Sequence, residues 1–184
     1  MPDSEWLTDD RMKAQVRDGL IVSIDLLVKD THDRWLLALR KNKPAQSSWF
    51  VPGGRVRKGE SIAEGFERVM HFELDVDLAY GQSKFHGVYV HYYDDNRWEE
   101  SGFGTHYLVL AHRVELESKS GLGEIALLQK ALEQHHKLQW FDRAAALVDP
   151  DVHPYTKIYL KEVKSSSGII ELFPDTFESY LDFG

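Results

Sequence analysis

The densest chemistry in the chain lies in one short stretch, Gly53-Gly54-Arg55-Val56-Arg57-Lys58-Gly59-Glu60, followed at helical distance by Arg68 and Glu73. Ser61 with Glu64 three residues later has the spacing of a capping box, which predicts a helix over 61–74. Gly53, Gly54 and Gly59 allow the preceding loop backbone angles that other residues avoid. A loop of this kind, leading into a helix N-terminus, can approach a phosphate or a metal closely. On the helix, positions 69, 72 and 73 share a face through i, i+3 and i+4 spacing, and they carry Val69, Phe72 and a single carboxylate, Glu73. A hard ion such as Mg2+ takes one or two carboxylates, with phosphate oxygens and water completing the shell. One Mg2+, for which Mn2+ can substitute, is the economical expectation. A plainer reading stands beside it, in which Glu64 and Arg68 form a solvated i, i+4 pair.

Other residues have types suited to the same chemistry. Histidine titrates near neutrality and suits a general base, and His135 is one of nine histidines. Arg40, Arg55 and Arg68 could hold a diphosphate, because the guanidinium fork matches phosphate oxygens. Arg68 could equally pair with Glu60, Arg55 could form a loop salt bridge, and Arg40 could stand exposed at a strand end. Asp25 interrupts the apolar run Ile24-Asp25-Leu26-Leu27, so it is either on a solvent face or placed for function.

The elements that must position these residues alternate between strand and helix. A short helix is predicted over 5–17, strands over 20–29, 34–40 and 49–51, and the box helix over 61–74. One or two strands follow over 76–91, then a loop over 94–104, a strand over 105–116 and a short helix over 124–133. A strand over 137–141 and helices over 142–148 and 153–163 complete the pattern. Ser165-Ser166-Ser167-Gly168 reads as a linker to an acidic-aromatic tail. The fold class is α/β, a three-layer α/β/α sandwich on a mixed sheet, with one domain over 1–164 and a tail over 165–184.

Composition narrows the function. The chain has 184 residues, a net charge of -8 and no cysteine. Disulfides and thiolate metal sites are therefore excluded, and broad nucleic-acid binding is disfavoured. No apolar run approaches the roughly 20 residues of a membrane span. The N-terminus is polar and acidic, unlike a signal peptide, so a cytoplasmic protein is expected, with no membrane partner.

The pattern Gly54, Glu60, Arg68 and Glu73 resembles a Nudix box, G-x5-E-x7-R-E-U-x-E-E-x-G-U, in which Val69 and Phe72 replace two glutamates and Asp75 the closing glycine. Further segments resemble the GDP-mannose mannosyl hydrolase subfamily, which lacks the same two glutamates. Among them are Trp49-Phe50-Val51-Pro52, Gly87-Val88-Tyr89, Thr105-His106-Tyr107 and Glu133-Gln134-His135. The resemblance implies the Nudix sandwich and a homodimer in which the N-terminal segment crosses to its partner. It implies Mg2+-dependent hydrolysis of GDP-mannose, or of GDP-glucose, to GDP and free hexose, by attack of water on the anomeric carbon with inversion. Within it, Glu73, Gln134 and a carbonyl of Gly53 or Gly54 would hold the metal, and His135, rather than His136, would be the base. Asp25, His91 and Tyr107 would line the sugar and leaving-group pocket, although sheet-face packing accounts equally for His91 and Tyr107. Trp6 would meet the guanine face or anchor the N-terminal helix. Two other readings compete: an ordinary Nudix pyrophosphohydrolase attacking phosphorus, and a non-catalytic nucleotide-sugar sensor.

Overall fold

The computed structural model of the chain describes residues 7–116, 135–161 and 169–172; of residues 135, 136, 171 and 172 it describes the backbone. Strand β1 (Ile21–Asp30) is buried along most of its length, as expected of a strand covered on both faces. Its neighbours are β2 (Arg34–Arg40), β3 (Trp49–Phe50) and β4 (Gly53–Arg55) on one side, and β5 (Lys84–Tyr93) and β6 (Thr105–Leu116) on the other. β1 runs parallel to β6, with Ile21 opposite Tyr107 and Asp30 opposite Leu116, and antiparallel to β2 and β4. β7 (His135–Asp142) pairs with β2, and β8 (Ile169–Leu172) runs parallel to β5 at the edge. The sheet is therefore mixed.

Alternation along β1 divides the core. Ile24, Leu26 and Val28 pack with Phe66, Val69 and Met70 of helix α2 (Ile62–Leu74). Leu27, on the other face, packs with Tyr155, Ile158 and Tyr159 of helix α4 (Pro154–Lys161), next to Ala146 of helix α3 (Arg143–Val148). Because side chains two apart share a face, Asp25 lies on the α4 side with Leu27. Helix α1 (Asp9–Asp18) buries Val16 and docks on the 94–104 loop, where Asp9 accepts from the Trp98 indole at 2.7 Å and Lys13 pairs with Glu100. Among the described residues no helix is long and apolar enough to cross a membrane.

α2 begins where its cap predicts. Ser61 Oγ accepts from the Glu64 amide at 3.2 Å, and Glu64 accepts from the Ser61 amide at 2.7 Å. Asp75, in place of the box glycine, ends the helix in the left-handed conformation at φ 56°, a geometry that aspartate tolerates better than most residues.

Of the one or two strands expected over 76–91 there is one, β5. The region 76–83 forms no second strand: Val76, Leu78 and Tyr80 pack on the α2 side of the core, so their apolar character is satisfied without a ladder. Two other readings change. Part of the tail joins the sheet as β8. The described N-terminal helix starts at Asp9, while Glu5 and Trp6 lie outside the described residues, as do the helix predicted over 124–133 and the linker 165–168.

Candidate active site

The box loop folds onto itself. Arg68 donates from Nε to Glu60 Oε1 at 2.5 Å and from Nη2 to Glu60 Oε2 and to the Arg55 carbonyl, both at 2.8 Å. Glu60 also accepts from the Arg57 amide at 2.8 Å. The hydrogen bond from Arg68 holds the Glu60 carboxyl below its ordinary value. Glu64 is occupied with its cap, so the Glu64–Arg68 pair is replaced by Glu60–Arg68. With two of its nitrogens committed in this way, Arg68 fastens the loop to α2.

This loop forms one wall of a cleft of about 270 Å³. Val69, Phe72 and Glu73 all line it from α2, so the two apolar replacements and the retained carboxylate face the same space. Gly53 and Gly54 line it from β4. A Cβ at Gly53 would come within 2.7 Å of both Asp25 Oδ1 and the Ile24 carbonyl, and one at Gly54 within 3.1 Å of Val69. Close approach explains these two glycines; Gly59, at φ 91°, is the box glycine whose backbone angle explains it.

Among the described residues no group of three histidine, aspartate or glutamate side chains could hold a metal. The donor set the cleft offers is Glu73, 7% exposed, with the backbone of Gly53 and Gly54 on its wall. Carboxylate and backbone oxygens are hard and suit a single Mg2+ that takes its remaining ligands from a phosphate and water. Gln134, the other predicted ligand, lies outside the described residues.

Cations gather at the same wall. Burial, and then the charges of Arg57, Arg68 and Arg97, push the Arg55 guanidinium below its ordinary value; Arg55 Nη1 lies 2.9 Å from Met12 Sδ of α1. Arg40 enters from β2 over the Phe50 ring, at 5.7 Å. Its Nε is buried with no hydrogen-bond partner among the described residues. A buried unpaired donor is costly, and an anion bound in the cleft would satisfy it.

The far end of the cleft is built differently. Asp25 of β1 accepts from the Tyr159 hydroxyl at 2.7 Å, and the same hydroxyl lies 3.1 Å from His91 Nε2. Burial pushes the Asp25 carboxyl up to about 7, against the opposing effects of the Tyr159 hydrogen bond and Arg40. His91 stacks on Tyr155, with ring centroids 4.0 Å apart and planes 8° from parallel. Burial, with the neighbouring His153 and Arg40, keeps its pKa well below the ordinary value. Tyr107 sits directly opposite His91 in the β5–β6 ladder, and both line the cleft.

Asp25, Arg40, Gly53, Gly54, Arg55, Arg68, Glu73, His91 and Tyr107 thus share one cleft. The His135 side chain and Trp6 lie outside the described residues. The backbone of His135 pairs with Arg40 in β2, at a shift of register that leaves His136 without a partner in the ladder. Sequence reasoning missed Tyr159. Its only signal is the i, i+4 spacing of Tyr155 and Tyr159 on α4, which places both on one helix face without indicating what that face meets.

A model of the NUDIX domain matches residues 19–161. The "Low-salt glycan biosynthesis protein Agl8" of Haloferax volcanii is 33% identical over 161 residues, 87% of this chain and 88% of that protein. Among solved structures, the MutT NUDIX hydrolase from Burkholderia pseudomallei is similar with a TM-score of 0.62 at 22% identity, covering 80% of this chain and 100% of that one. The NUDIX domain of Shewanella oneidensis NrtR, solved with ADP ribose, gives a TM-score of 0.58 at 16% identity, covering 85% and 96%. At those identities the two structures speak for the fold alone.

Proposed function

The chain belongs to the NUDIX domain family, and within it we propose an Mg2+-dependent hydrolase of GDP-mannose, or of a close GDP-hexose, that releases GDP and free hexose. Water attacks the anomeric carbon with inversion. The observation that carries this reading is the composition of the α2 wall: of the four side chains it presents to the cleft, Arg68, Val69, Phe72 and Glu73, only Glu73 is a carboxylate. Nudix hydrolases generally use divalent cations, and activating water against phosphorus with several of them needs several acidic ligands. One carboxylate supports one ion beside a leaving group. The relative named for glycan biosynthesis accords with a sugar-bearing substrate.

Each residue then has a task. Arg40 and Arg55 bind the diphosphate through guanidinium forks. Arg68, through Glu60 and the Arg55 carbonyl, keeps Arg55 and the loop in place. Asp25, His91 and Tyr107 hold the sugar. His135 takes the proton of the attacking water on the far face of the ring, and the electron pair of the glycosidic bond leaves on the β-phosphate oxygen. Glu73, Gln134 and a carbonyl of Gly53 or Gly54 would hold Mg2+, which supplies positive charge against the departing diphosphate. The expected assembly is a homodimer, with α1 near the interface.

Hydrolysis of GDP-mannose in 18O-labelled water tests the reading. Label in the hexose and none in GDP is expected, with β-mannose seen first by proton NMR from the α-linked donor. Label in a nucleotide phosphate, with GMP and a sugar phosphate as products, would return the chain to phosphorus chemistry.

A further inference from the structure

Three buried side chains from distant elements meet at the sugar end of the cleft: Asp25 at 7% exposure, His91 at 2% and Tyr159, which is fully buried. The Tyr159 hydroxyl has one proton to donate and two neighbours within reach. Asp25 Oδ2 is the nearer, at 2.7 Å against 3.1 Å to His91 Nε2. At alkaline pH, where the Asp25 carboxyl is ionised, it can only accept, so the phenol proton goes to Asp25. The phenol oxygen is then left to accept, and His91 must donate to it from Nε2–H. The near-parallel Tyr155 ring fixes the imidazole plane independently, and the bare nitrogen is Nδ1. Without the hydroxyl, neither the orientation of Asp25 nor the histidine tautomer has a determinant among these contacts.

We propose that Tyr159 is a positioning residue that sets the hydrogen-bond polarity of the sugar end, holding Asp25 as an acceptor and His91 in its Nε2–H tautomer so that the cleft receives the hydroxyl donors of an uncharged hexose. The sugar assignment rests on the function proposed above; the tautomer assignment does not. Tyr159 touches no reacting atom, since its hydroxyl is spent on two side chains that themselves line the cleft. Its ring also packs edge-on against Tyr89 at 4.7 Å, a contact that phenylalanine would keep, so Tyr159→Phe removes the bridge and spares the packing.

The test is a long-range 1H–15N spectrum of the 15N-labelled full chain, with His91 assigned by its loss in His91→Gln. At alkaline pH, with Asp25 ionised, the wild type should show His91 protonated at Nε2 and bare at Nδ1, and Tyr159→Phe should shift population to the Nδ1–H form. In parallel, Tyr159→Phe should lower kcat/KM for GDP-mannose about 10- to 100-fold, the scale of a buried hydrogen bond lost with its partners left unpaired. Its Kd for GDP alone should be unchanged. A wild-type His91 protonated at Nδ1, or an unaltered tautomer in the variant, would overturn the proposal, as would a parallel loss of GDP affinity and sugar turnover. The wild-type spectrum decides the tautomer even if the variant does not fold. A protein that hydrolyses no GDP-hexose would instead sink the proposed function, while the spectra still judge Tyr159.

Discussion

Two carboxylates beside the cleft have been pushed in opposite directions. Glu60, in the box loop, is held below its ordinary pKa, chiefly by the hydrogen bond from Arg68. Asp25, at the sugar end, is raised to about 7 because burial outweighs the Tyr159 hydrogen bond and the charge of Arg40. The same functional group thus serves as a fixed counterion in the box loop and as a nearly balanced acid at the sugar end, and the balance of burial against partners makes the difference. The box loop spends its charge on its own rigidity. The sugar end keeps polar groups dry and under-compensated, and such a site is the one that can be selective for a ligand.

The largest effect should come from an element belonging to neither region. His135, which pairs with Arg40 through β7, is expected to lose on the order of 10^2 to 10^4 in kcat when changed to alanine. In the wild type log kcat should rise with unit slope and level off with pH, and that limb should flatten in the variant. A greater loss from His136→Ala would put the base one residue later.

On the box wall, Glu73→Gln should raise the Mg2+ concentration for half-maximal activity at least about 10-fold, on the scale of damage to a metal site, and excess chelator should silence the wild type. Mg2+ activation curves that superimpose for the two proteins would remove Glu73 from the metal.

The two carboxylates should also give pH slopes of opposite sign. Unfolded Asp25 releases its proton near 3.8 and folded Asp25 near 7, so the folded state binds the extra proton between those values and stability falls as pH rises through them. Asp25→Asn should abolish that fall and leave the protein more stable at pH 8, by an amount on the order of a few kcal/mol, in urea melts without metal. An unchanged slope would mean that Asp25 is ionised throughout.

Glu60 works the other way. Its folded pKa is depressed, so its contribution is present above the unfolded value of about 4.5 and lost as pH falls through the lower folded value. Glu60→Gln should remove this acid-side loss and cost roughly 1–3 kcal/mol at pH 7, the scale of a hydrogen-bonded charge left without its partner. Equal melting of the two proteins at pH 7 would show that the Glu60–Arg68 pair is replaceable.

How much of this was legible depended on the distance over which each signal acts. The cap at Ser61 and the strand at Thr105–Leu116 appear where their residues predict, because caps and alternation are read within a few positions. The stretch 76–83 left one strand or two open for the same reason. Val76, Leu78 and Tyr80 have the apolar character of a strand, and burial against α2 satisfies it without one. The four residues of β8 were hidden in the tail, since Ile169 and Ile170 become a strand only where the edge of β5 offers carbonyls and amides to pair with.

The amino-acid sequence by itself determined the box loop, its helix and the single carboxylate they present, because those contacts close over short separations: Arg68 finds Glu60 eight residues away. Only the tertiary structure decided the sugar end. Tyr159 lies 134 residues from Asp25 and 68 from His91, so no local pattern links them. They meet because parallel pairing of β1 with β6, the β5–β6 ladder and the packing of α4 on the same sheet face bring three buried polar groups to one point, where each must find a partner among the others.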